Sequence, residues 1–252
     1  MNDADIVNEA DDLYSNHDAS VLSGLIQRLE PQSILDLGPR KGKTTKTIIN
    51  AVLENNTNNV EYHIFEKDTP FLDHIKDYCL NLKQDKISFT FNKNAVGFDF
   101  SKIPKLDLCF IDANHDYILS RWYIDTLFPL VKQSGVIHIH DIYYSKNGKG
   151  WDDVGFRSKP WIYHADIISQ DIHKELYPSI FDKYKEDYPI AICEEDVIKN
   201  YCLNHADSIK TFSTCHPPTP TLGPFDDDGN DKVANCALYI YNKEYEYFNI
   251  GA

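Results

Sequence analysis

The chain has 252 residues, 42% hydrophobic and 25% charged, enough to bury a full core without disulfides or a structural metal. Lysine and arginine number 25 against 39 aspartates and glutamates, and the net charge of −14 argues against nucleic acid or an anionic membrane surface as partner. No apolar run reaches the ~18 residues of a membrane span. The acidic opening MNDADIVNEADD has no signal-peptide pattern, and the six cysteines form no CxxC pair, so reduced thiols in a cytoplasmic protein are the expectation.

In chain order, residues 19–29 place Val21, Leu22, Leu25, Ile26 and Leu29 on one helical stripe, with Asp18 as its cap. Short apolar runs and helical patterns then alternate. The run 33–37 (SILDL) is followed by a helix over about 44–53, and 60–65 (VEYHIF) by one near 71–82. Next come 87–91, then 106–111 (LDLCFI), a helix near 118–131, and 136–139. Such alternation predicts an α/β fold, a doubly wound and mostly parallel sheet with helices on both faces. From about 143 to 231 the alternation stops. That stretch is rich in aromatic residues and aspartate, with helical patterns near 174–185 and 194–203 and loops at CHPPTPTLGP and DDDGND. Residues 235–241 and 244–250 read as two strands around Asn242-Lys243, a closing antiparallel hairpin. The chain therefore reads as a single domain, 1–252, in which 143–232 is a cap or substrate-recognition insertion.

Sheets of this kind bind ligands beyond the carboxyl ends of their strands. The residues there are Asp36 to Gly38, Glu66 to Asp68, Asn92 to Asn94, Asp112 to His115, and His140-Asp141. Four of these five exits carry a carboxylate, and two add a histidine. At the first, Ile34-Leu-Asp-Leu-Gly38-Pro-Arg-Lys-Gly42-Lys-Thr44 runs from a strand through a glycine turn into a helix, presenting backbone N–H groups and a positive helix end. A dinucleotide fingerprint needs glycines two and three apart, whereas these are four apart. The phosphate loop GxxxxGK[ST] is missed by one residue, and Pro39 removes a donor. A nucleotide hydrolase with Lys43 on a phosphate and Asp112 on magnesium stays an alternative, as does a non-catalytic cofactor-binding protein.

The pattern D-x-G-x-x-x-G-x-T, followed by Glu66 after the second strand, resembles the class I S-adenosylmethionine-dependent methyltransferases over about residues 20–142. The resemblance implies a Rossmann-like, seven-stranded sheet closed by an antiparallel pair. It gives Asp36, Gly38 and Gly42 to the methionyl part of the cofactor and Glu66 to the ribose hydroxyls. Asn94 falls beside the adenine, and Asp112 borders the same pocket.

Within that superfamily, Asp112-x-x-His115 and His140-Asp141, in the context DLCFIDANHDY…GVIHIHDI, resemble the metal-dependent sugar and macrolide-sugar O-methyltransferases. This implies a divalent metal, magnesium or manganese, held by Asp112 and Asp141, and His115 as general base. His140 stands where that branch often has an acid, and imidazole suits manganese, iron or zinc better than magnesium. A cation bound to an alcohol lowers its pKa, after which a neutral imidazole can take the proton. The expected partner is a sugar or glycosylated small molecule, with a homo-oligomer possible. His138, which alternates with His140, raises a metallohydrolase as a further alternative. Cys193, Cys202, His205, Cys215 and His216 match no zinc spacing, and 226–231 lacks the ligand positions of a calcium loop. Trp151, Trp161, Tyr143 and Tyr144 follow the acidic cluster closely enough to cap a substrate, and Arg157 and Lys159 could meet a phosphate on it.

Overall fold

The computed structural model describes residues 16–55, 57–114, 117–140, 174–185, 194–214 and 237–248. Strands form where the short apolar runs stand: β1 (Ser33–Leu37), β2 (Val60–Phe65), β3 (Ile87–Asn92) and β4 (Leu106–Ile111). Between them lie α2 (Lys43–Glu54) and α3 (Thr69–Asn81), and α1 (Asn16–Leu29) precedes β1. Asp18 is a first-turn residue of α1, not its cap: the helix starts two residues earlier, and an acid in the first turn complements the positive helix end.

Two expected boundaries shift. α4 spans Tyr117–Thr126 and stops short of residue 131, because Pro129 cannot continue a helix; a 3-10 turn at Phe128–Leu130 follows. β5 (Val131–His140) accordingly begins five residues before the apolar core that marks it. α5 (Phe181–Tyr184) and α6 (Glu194–Asn204) occupy the later helical patterns.

The closing pair is the clearest correction. β7 (Ala237–Asn242) does pair antiparallel, but with β6 (Ile209–Ser213); of the expected strand 244–250, the described residues 244–248 do not pair with it. Residues 244–248 instead leave the sheet. Arg28 donates to the Tyr247 carbonyl at 2.6 Å, and Phe248 stacks on Phe212 at 4.4 Å. The segment IKTFS is short and only half-buried, so its apolar pattern is weak in sequence.

The sheet has seven strands in the order 3-2-1-4-5-7-6, parallel except for β7, which runs antiparallel to both β5 and β6. Alternate residues feed two cores. Ile34, Tyr62, Ile64, Phe110 and Tyr239 meet Leu22, Ile26, Ile48, Val52 and Ile75 of α1, α2 and α3. Leu35, Phe65, Ile111, Ile139 and Ile240 meet Ile118, Trp122 and Tyr123 of α4 and Val197 and Ile198 of α6. Because both faces are covered, all five β1 residues are buried, polar Asp36 among them. β6 and α6 lie within 143–232, so part of the expected insertion supplies a sheet strand and core side chains. Cys79, Cys109 and Cys202 are free, buried thiols.

Candidate cofactor site

Backbone ladders continue past the strand ends and tie the exits together. The Gly38 N–H donates to the Phe65 carbonyl at 2.8 Å, Asp112 N–H to Leu37 at 2.8 Å, and Glu66 N–H to Asn92 at 3.0 Å. The exits of β1, β2, β3 and β4 therefore form one continuous rim at the carboxyl edge of the sheet.

The glycines in that rim have separate reasons. Gly38 has φ +82, and a Cβ there would lie 2.3 Å from the Asp112 carbonyl oxygen, so the β1 and β4 exits close on each other only without a side chain. Gly42, also at φ +82, is the N-cap of α2, and a Cβ there would stand 2.9 Å from Ile75 Cγ1. Between them the Gly42 N–H donates to Pro39, which closes the turn.

Glu66 is buried at the β2 exit. Its Oε2 accepts from the Arg40 N–H at 2.8 Å, inside the glycine turn, and its Oε1 from the Asp68 N–H at 2.8 Å. Each oxygen keeps a second lone pair for a ligand hydroxyl. Asn94 is exposed beyond β3, its side-chain oxygen accepting from the Val96 N–H at 3.1 Å, which leaves the amide donors facing other partners.

Asp36 does not line the turn but lies beneath it. Its Oδ2 accepts from Tyr62 Oη at 2.7 Å and Thr45 Oγ1 at 2.8 Å. Burial raises the carboxyl, the two hydroxyls oppose that, and Asp112 and Glu66 add like-charge repulsion; the result is a pKa of about 7. Sequence reading missed Thr45 and Tyr62. The signal was present as two polar side chains, one in the first turn of α2 and one on the Asp36-facing side of β2, in otherwise apolar surroundings.

At the other side of the rim, Asp112 and His140 each stand one residue beyond the paired Ile111 and Ile139 of β4 and β5. Asn114 Nδ2 donates to Tyr177 Oη at 2.9 Å, so the β4 exit is bonded to the segment before α5, another contact that sequence reading missed. His115 and Asp141 lie outside the described residues, as do the four aromatic candidates for a cap. Among the described residues no three His, Cys, Asp or Glu side chains converge as a metal-holding group. His138 is fully buried, stacked on Phe110 at 4.2 Å and edge-on to Tyr239 at 4.6 Å. Burial, with His140 adding to it, pushes its pKa well down, so it is a neutral core residue.

The residues present suit S-adenosylmethionine: a glycine turn at a helix start, a buried acid at the next exit, and carboxylates for a cationic ligand. Residues 35–142 match a family model described as a methyltransferase domain. Together with the strand order, that match gives the chain a Rossmann-like α/β methyltransferase fold, a mostly parallel seven-stranded sheet with flanking helices. Solved structures share the fold at low identity. A Klebsiella pneumoniae protein named as a candidate O-methyltransferase superposes with a TM-score of 0.55 at 10% identity, covering 95% of this chain and 85% of that one. An O-methyltransferase from Bacillus cereus, solved with SAH, gives 0.51 at 14% identity, with 94% and 86% covered. TomG of Streptomyces achromogenes, an O-methyltransferase involved in tomaymycin synthesis and solved with SAM, gives 0.50 at 11% identity, with 90% and 80% covered. No protein of curated function matches the sequence.

Proposed function

We propose that the chain is an enzyme that binds S-adenosylmethionine at the glycine turn and transfers its methyl group to a small molecule. The observation that carries this reading is the hydrogen bond from the Arg40 N–H to Glu66, which fastens the turn to the next strand exit inside the matched region. The bound cofactor supplies an electrophilic methyl on a positively charged sulfur. Gly38 and Gly42 shape the turn that receives it, Glu66 accepts the ribose hydroxyls, and Asn94 meets the adenine.

The finer reading places the methyl on a hydroxyl of a sugar or glycosylated small molecule. Asp112, His140 and Asp141 hold a divalent magnesium or manganese ion, and His115 removes the hydroxyl proton. Its support is the matched position of Asp112 and His140 on adjacent strands, which lie about 4.8 Å apart and so can share one ion. A metal lowers the pKa of an oxygen bound to it, and a neutral imidazole is matched to the proton released.

Calorimetric titration with S-adenosylmethionine, run against ATP, tests the cofactor. Saturable binding that weakens about tenfold or more in Glu66→Ala is expected. ATP binding that is lost in Lys43→Ala would instead make the chain a nucleotide hydrolase. For the finer reading, His115→Ala should abolish turnover of an accepted sugar while retaining cofactor; unaffected turnover removes His115 from the mechanism.

A further inference from the structure

Asp36 is fully buried, and while its Oδ2 holds Thr45 and Tyr62, its Oδ1 is buried with no hydrogen-bond partner among the described residues. The groups facing it come from every element packed around it. β2 contributes Tyr62 and, at its exit, Glu66; β4 contributes Asp112 at its exit; α2 gives Thr45, and α3 the Cys79 thiol, while the Cys109 thiol of β4 lies with Leu35 on the opposite face of the sheet. The two hydroxyls solvate an anion without neutralising it, and the two acids repel it. The ligand inferred above is a cation at its sulfur. A positive charge brought near a buried carboxylate lowers its proton affinity by tenfold or more, roughly one to three pKa units.

We propose that Asp36 is a positioning residue that holds a proton until the cationic cofactor binds and then releases it, gripping Thr45 and Tyr62, and so the glycine turn, more tightly. The inference rests on the cofactor reading above. An ionised carboxylate accepts stronger hydrogen bonds than a protonated one, which supplies the tightening. The carboxyl stands at about 7, so the proton is exchangeable near neutral pH. Once the methyl has moved to the acceptor, the bonding pair stays on sulfur and its charge is gone. Asp36 then takes a proton back from solvent, and the turn loosens on the spent cofactor.

The test is calorimetry on the full chain at pH 7, in two buffers of different ionisation enthalpy, with S-adenosylmethionine and then S-adenosylhomocysteine. The expected result is release of roughly half a proton per S-adenosylmethionine bound, less for the neutral-sulfur product, and none in Asp36→Asn. Binding with buffer-independent heat overturns the proposal and leaves the cofactor reading standing, whereas no binding removes both. Release that persists in Asp36→Asn places the proton elsewhere and also overturns it. Should Asp36→Asn not fold, Tyr62→Phe carries the test. Losing a donor to the ionised form moves the pH of maximal release up by about one unit, and an unmoved maximum overturns the proposal; a purely structural role would not alter the proton count.

Discussion

Two aspartates at opposite ends of the sheet hold the same chemical group in contrasting settings. Asp107, at the start of β4, accepts from the Gln32 and Ser33 N–H groups at 2.9 and 3.0 Å, and Lys132 Nζ reaches its two oxygens at 2.8 and 2.9 Å. Asp36, near the end of β1, is held by two neutral hydroxyls and crowded by two further acids. The first brings its own cation and clasps the beginnings of β1, β4 and β5. The second is costly to ionise in place, and its surroundings favour an arriving cation. One end of the sheet holds strands together; the other, on the reading proposed above, responds to what binds there.

Breaking the responsive end at its tightest point should have the largest effect. Gly38→Ala forces a side chain into φ +82 and against the Asp112 backbone, with an expected loss of about 4 kcal/mol or more and of measurable cofactor binding. Chemical denaturation and titration calorimetry would check both.

Next comes the pH response of Asp36. Its folded pKa of about 7 lies above the ordinary carboxyl value of 3.8. The folded state therefore binds the proton more tightly, and this contribution is complete below about pH 4 and lost as pH rises through about 7. Across that window the loss is up to about 4 kcal/mol. The stability of Asp36→Asn relative to the parent chain should thus rise between pH 4 and 8, as urea titrations at each pH would show. A difference independent of pH would place the carboxyl in an ordinary environment.

Asp107→Ala sharpens the contrast from the other side. It orphans two backbone donors and a half-buried lysine, for about 2 kcal/mol, yet should leave cofactor affinity unchanged. Smallest is Tyr62→Phe, about 1.5 kcal/mol above pH 7 and less below it, where Asp36 is protonated and accepts a weaker bond. Equal destabilisation at pH 5 and 8 would contradict that ionic character.

The same contrast separates what the sequence made legible from what it concealed. The half from β1 to β4 is local: strand, turn and helix follow one another, so SILDL, VEYHIF and LDLCFI read directly, and the glycine spacing pointed to the turn. The β5–β7–β6 side is assembled from distant pieces. β7 finds its partner in Ile209–Ser213, and that five-residue, half-buried strand carries little periodic signal, while the aromatic run 244–248 imitates one. At the strand exits, the turn between Gly38 and Gly42 and the acid at the end of β2 were visible from their spacing. Thr45 and Tyr62 were not, because their importance lies in converging on one carboxylate from two elements, a fact of tertiary geometry. His138 raised a metallohydrolase only as an alternative, and its burial against Phe110 and Tyr239 makes it a core side chain.

The ladder of bonds that runs past the strand ends, from Asn92 to Glu66, Phe65 to Gly38 and Leu37 to Asp112, also constrains how such a protein can change. An insertion or deletion at any of these exits slips a register shared by its neighbours and turns side chains to the opposite face. Length variation in that rim is therefore coupled across four loops at once.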